Sequence, residues 1–162
     1  MASDIFLKLG DIKGESADAK HKDEVEVTNL SWAITNHGSM HTGQGGGTGK
    51  ATFGDIQVTK MVDKASPVLQ QACATGEHYK EATITARKQG KVQIEFLTYK
   101  LTDVIVTGVS TQAGGDGQNS YYTENVSLQF AKVVVEYKAQ KADGTPDASV
   151  FFKYNIKGNV KL

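Results

Sequence analysis

Residues 92–106 read VQIEFLTYKLTDVIV. The apolar side chains alternate as Val92, Ile94 and Phe96, resume as Leu97, Tyr99 and Leu101, and resume again as Val104 and Val106. Period-2 alternation marks a half-buried strand. Each slip of one residue moves burial to the other face, and natural strands make such slips at β-bulges, which bend them. Residues 126–137, VSLQFAKVVVEY, repeat the device: Val126, Leu128 and Phe130 give way to Val133, Val135 and Tyr137. Long, bent strands serve both walls of a barrel or sandwich. The expected fold is all-β, a compact antiparallel β-barrel closed or nearly closed.

The rest of the chain fits around this pair. Ile5, Leu7 and Leu9 give a first strand, and others are expected at about 23–36, 51–62 and 149–156. In Glu81–Arg87, Ala82, Ile84 and Ala86 face one way, and Glu81, Thr83, Thr85 and Arg87 the other. One flanking helix is expected, with Ser66 as its cap, Pro67 at its first position and Gly76 at its end. Its apolar face is Val68, Leu69, Ala72 and Cys73, which makes Cys73 a small core residue. Polar or glycine-rich loops are expected at 10–22, 36–50 and 111–120. No composition shift divides residues 1–162, so a single domain is expected.

The chain has 162 residues, with 18 Lys+Arg against 18 Asp+Glu. A strongly basic nucleic-acid binder is therefore not expected, and zero net charge permits self-association. A single cysteine excludes an intrachain disulfide framework. No segment approaches the ~20 apolar residues of a membrane span, and residues 1–9 do not look like a secretory leader. Residues 27–49 contain no Asp, Glu, Lys or Arg. An uncharged strand leading into a glycine loop suits contact with another copy better than solvent.

Sites of chemistry fail on inspection. Gly47-Thr48-Gly49-Lys50 invites a phosphate-loop reading, but Gln44 stands where the first glycine is needed, Ala51 replaces Ser or Thr, and a strand follows. His37 and His41 lie in a loop with Gly38 between them, so the histidines, His21 and His78 included, read as solvated or interface residues. Glu24 and Glu26, near Lys20 and Lys22, read as a solvated or salt-bridged edge. Trp32 alternates with Leu30 and Ile34 as a core stripe, leaving Asn29, Ser31 and Ala33 on a small uncharged face. No catalytic residue, cofactor site or metal site is assigned, and the chain is not expected to be an enzyme.

DIFLKLGDIKGES (4–16), Ser31-Trp32, GSMHTGQGGGTGK (38–50), DKASPVLQQACATGEHY (63–79), TENVSLQFAKVVVEY (123–137) and QKADG (140–144) together resemble the Hcp family, the haemolysin-coregulated proteins of bacterial type VI secretion. The likeness covers about residues 2–157, least well at 112–120 and 150–156. It implies a β-barrel tube subunit forming hexameric rings that stack and are expelled by sheath contraction. The implied partners are further copies, a spike protein of the valine-glycine-repeat type, the sheath and baseplate, and small effector proteins in the lumen. Nucleic acid and membrane insertion are not implied. The implied route is from the cytoplasm to the outside or a target cell without a signal peptide. By this resemblance His37, Gly38, Ser39, Met40, His41, Gly45, Gly46, Gly47 and Lys50 make ring or stacking contacts, and Asn29 and Ser31 face the lumen. A phage-type tail-tube protein and a stand-alone β-barrel ligand-binding module are the alternatives.

Overall fold

The computed structural model describes residues 3–41, 43, 47 and 49–162. The elements are β1 (Ser3–Leu9), β2 (Val25–Val27), β3 (Asn29–Ser31), β4 (Ile34–Thr35), β5 (Thr52–Phe53), β6 (Ile56–Met61), α1 (Ser66–Thr75), β7 (His78–Lys88), β8 (Glu95–Gly114), β9 (Tyr121–Gln140), β10 (Pro146–Asn155) and β11 (Val160–Lys161). All recorded pairings are antiparallel, and the main sheet runs β11-β10-β9-β8-β7-β1-β2. Its far end returns on itself. β2 runs through Thr28 into β3, β3 pairs with β6 (Leu30 opposite Val58), and β6 pairs with β9 (Val58 opposite Val126). The Thr28 N–H to Thr59 carbonyl bond, 2.7 Å, completes the junction. The barrel is therefore closed through β1, β2/β3, β6, β9, β8 and β7.

The phase slips sit where the chain bends. The β7–β8 register shifts at Ala86/Arg87, where Ala86 opposes Leu97 and Arg87 opposes Glu95, leaving Phe96 as the extra residue. Both ladders of β8 pass over Asp103, which has φ +55°. There burial moves from Leu101 to Val104 and Val106. In β9 burial passes from Phe130 to Val133; at the slip, the Ala131 carbonyl accepts the N–H groups of Ile156 (2.8 Å) and Lys157 (3.3 Å). The core cluster includes Leu7, Leu9, Ile56, Ile84, Val104, Leu128 and Leu69 of the helix.

Several expectations need correction. The run at 23–36 is three short strands, and that at 51–62 is two. Residues 111–114 belong to β8, so the turn is only 115–120. Polar pairs such as Gln112 with Thr123 carry that ladder by backbone bonding, with no apolar alternation to betray it. Gly115 adopts φ +122°, and a Cβ there would collide with the backbone of Asn119 and Ser120.

Helix α1 is capped at Ala65 without a side-chain bond, not by Ser66. Asp63 claims the turn instead, its Oδ1 accepting the Ala65 N–H at 2.9 Å, while Ser66 Oγ accepts the Asp63 N–H and Lys60 Nζ, each at 3.0 Å. Gly76 ends the helix with φ +67°. Leu69 and Ala72 are buried, Cys73 is half-buried and Val68 is exposed.

Thr85 and Arg87 are buried rather than solvated. The polar 10–24 segment forms a strap against them. Gly14 packs on the backbone of Glu24 and Val25, where a Cβ would lie 2.7 Å from the Val25 Cα. Arg87 bonds Asp18 of the strap (Nη1 to Oδ1 3.0 Å, Nη2 to Oδ2 2.6 Å) and Asp4 of β1 (3.2 Å). Hydrogen bonds from Arg87, then the backbone N–H of Lys20, hold the Asp18 carboxyl well below the usual carboxylate range.

A second polar knot lies inside the barrel. Lys60 and Glu124 face each other across the β6–β9 ladder, both fully buried. The Lys60 ammonium reaches Glu124 Oε1 at 3.0 Å, Asp63 Oδ1 at 2.8 Å and Ser66 Oγ at 3.0 Å. Three acceptors meet its three donors, as a buried ammonium requires.

Glu124→Ala leaves a buried cation short of its partner and should cost about 3–5 kcal/mol in urea unfolding. The double change Lys60→Met/Glu124→Leu should restore most of that loss. For Asp18, a lowered carboxyl contributes stability above its unfolded value near pH 4, and loses it as pH falls through its folded value. Asp18→Asn should therefore be less stable at pH 5 and lose less than the parent chain between pH 5 and pH 2.

Candidate assembly surfaces

After β3 the chain leaves the barrel, and β4 and β5 form the base of an arm. Ile34 pairs with Phe53 and Thr35 with Thr52. Farther out, the Gly49 N–H donates to the His37 carbonyl (3.4 Å) and the Ser39 N–H to the Gly47 carbonyl (3.2 Å). The arm is thus a β-ribbon held by its own backbone. It brings together His37, Gly38, Ser39, Met40, His41, Gly47 and Lys50; all are exposed except Ser39, which is half-buried. Met40 is 75% exposed. Gly45 and Gly46 lie outside the described residues. Among the described residues, no group of three or more His, Cys, Asp or Glu side chains is arranged to hold a metal ion.

Trp32 roots the arm. Its Nε1–H donates to the Gly54 carbonyl at 2.9 Å, and the Gly54 N–H donates to the Ala33 carbonyl at 3.0 Å. Its ring meets Phe53 of β5, Tyr99 of β8, Phe130 of β9 and Phe152 of β10, with centroids 5.9–6.4 Å apart. Burial pushes the Tyr99 phenol up. The expected core stripe is only part core: Leu30 and Trp32 are half-buried, and Ile34 is 43% exposed because the chain has already left the barrel there.

Asn29 and Ser31 are exposed on β3, and the register extends them into a wall. Asn29 lies opposite Thr59, Thr59 opposite Asn125 and Asn125 opposite Ser110. Ser31 lies opposite Gln57, Gln57 opposite Ser127 and Ser127 opposite Gly108. Directly paired residues share a face, so β3, β6, β9 and β8 present one polar surface without charge. Sequence reasoning found only its first strand. The signal for the rest was the uncharged set Gln57, Thr59, Asn125 and Ser127, alternating with buried Val58, Val126 and Leu128.

A third surface was not singled out from the sequence. β10 pairs with β9 on one side, but β11 covers only Tyr154 and Asn155 on the other. Residues 147–152 have no second ladder partner among the described residues. Val150 (68%), Phe151 (50%) and Phe152 (37%) are exposed there, with Tyr137 of β9 opposite Val150. An apolar strand with an open edge is a template for pairing.

Among the described residues, no helix is long and apolar enough to cross a membrane. A family model described as type VI secretion system effector, Hcp, matches residues 6–137. The chain is 47% identical to Protein hcp1 of Pseudomonas aeruginosa over 163 residues, 99% of each. It matches a solved structure described as a type six secretion system protein with TM-score 0.93 at 29% identity, over 99% of this chain and 100% of that one. Hcp1 from Salmonella typhimurium matches with TM-score 0.81 at 36% identity, over 100% of both chains. The closed antiparallel barrel, its flanking helix and these likenesses lead to one conclusion: the chain belongs to the Hcp family of the type VI secretion system.

Proposed function

We propose that this chain is the repeating subunit of a type VI secretion inner tube. Copies join side by side into hexameric rings, and rings stack through the arms. Sheath contraction then drives the tube, tipped by a spike protein, from the cytoplasm out of the cell. The open apolar edge of β10 is the observation that carries this reading. A soluble protein normally blunts such an edge with charge, proline or a covering element; Pro146, Asp147 and Lys153 flank this one, but residues 148–152, Ala-Ser-Val-Phe-Phe, carry none of these. A cyclic contact closes a ring, and a heterologous face-to-face contact stacks rings. The arm suits the second, since apart from Lys50 at its base it leaves no charge to be desolvated on contact.

In this arrangement the polar wall that begins at Asn29 and Ser31 lines the lumen and holds small effector proteins. Hydroxyls and amides without net charge offer hydrogen bonds while releasing cargo readily. The role is structural and carrying, with no chemical step.

Light scattering on a size-exclusion column should find a species of about 104 kDa, six times the 17.4 kDa chain. Val150→Lys should shift most material to monomer at the same concentration, with unfolding free energy within about 0.5 kcal/mol of the parent, as for a surface change. An unshifted mass would remove β10 from the ring contact. Ser31→Gln should keep the ring mass and weaken retention of a co-purified small effector about tenfold, roughly 1.4 kcal/mol. Retention equal to the parent would take Ser31 out of the lumen.

A further inference from the structure

His21 was expected to be a solvated or interface residue, but it is 8% exposed. Its ring stacks on Phe6 of β1, with centroids 4.3 Å apart and planes 6° from parallel, and the Arg87 guanidinium lies 5.1 Å from the same Phe6 centroid. Both ring nitrogens of His21 meet carboxylates. Nδ1 contacts Glu24 Oε2 at the end of the strap, and Nε2 contacts Glu95 Oε1 at the start of β8, at 2.8 Å. Glu24 and Glu26 are thus not equivalent edge residues: Glu24 is drawn in and Glu26 stays exposed.

An ionised carboxylate only accepts hydrogen bonds, and a neutral imidazole donates from one nitrogen. Both contacts are hydrogen bonds only when Glu24, His21 and Glu95 hold two protons among them. With one proton, an oxygen lone pair faces a nitrogen lone pair beside the buried ring, and the strap loses one tether; Glu24 is 16% exposed and Glu95 44%. The charged groups packed around the ring are Glu24 and Asp18 on the strap, Glu95 on β8, Arg87 on β7 and Asp4 on β1, with Asp18 Oδ1 also accepting the His21 backbone N–H at 3.3 Å. Lys20 and Lys22 flank His21 in sequence and are exposed.

We propose that the Glu24–His21–Glu95 triad is a pH-sensitive clamp that fastens the 10–24 strap to β8 and releases it when one shared proton is lost. The Arg87–Asp18 bonds still hold the middle of the strap, so release frees its end from β8 without opening the barrel.

Hydrogen-exchange protection of the amides of residues 14–24, corrected for the intrinsic pH dependence of exchange, reads the clamp between pH 6 and pH 9. In the parent chain it should fall by up to about tenfold per pH unit where the proton leaves, the slope set by one proton. In Glu95→Gln the amide can donate to a bare Nε2 while Nδ1–H donates to Glu24. A neutral imidazole then satisfies both contacts, and the slope should vanish. Equal slopes in the two proteins, or a parent profile that is flat from pH 6 to pH 9, would overturn the clamp. Amides of β6 and β9, remote from the strap, serve as the internal control and should show no difference between the two proteins.

Discussion

β9 must belong to two walls at once. Its first half pairs with β6 and closes the barrel, and its second half pairs with β10 outside the closed ring of strands. One uninterrupted alternation would direct the same face inward along the whole strand. The slip between Phe130 and Val133 reverses burial where the partner changes. The short β3–β6 junction then completes the circuit. The arm, the polar wall and the open edge all take their places from this division. The arm leaves just beyond the closing strand, the wall spans the strands that close, and the free edge lies on the strand left outside.

Within that frame the polar groups act as fasteners. Lys60 and Glu124 tie β6 to β9 beside the closing junction, and Ser66 and Asp63 bring α1 to the same ammonium. Apolar residues of similar volume would fill the space, but they would not fix which rung of β6 faces which rung of β9. On the outside, Arg87 and His21 fix the strap. The aromatic cluster around Trp32 gathers side chains from β5, β8, β9 and β10, so the arm's root is packed even though its length is solvated.

The long bent strands were legible because the slips at Phe96, at Asp103 and after Phe130 each break an otherwise regular alternation. The helix was legible from Pro67 and Gly76, and the arm from its want of charge. Other features left no local mark. Arg87 alternates like a solvated residue, and only the strap, distant in sequence, buries it. Lys60 sits at an inward position of β6 where pattern reading expects an apolar side chain; its partners Glu124 and Ser66 are 64 and 6 residues away. The β10 edge was read as an ordinary strand, because alternation reports which face is covered and not whether an edge is paired. The polar wall needed the register, which no single strand carries.

On this reading the open β10 edge and the arm are contacts between copies of this chain. Electron cryomicroscopy of the purified chain tests it most directly. The account predicts six-fold rings in which residues 147–152 lie against a neighbouring subunit, the arm reaches out of its own ring, and Asn29 and Ser31 face the central hole. Rings that leave the β10 edge and the arm in solvent, or particles of single chains throughout, would contradict it.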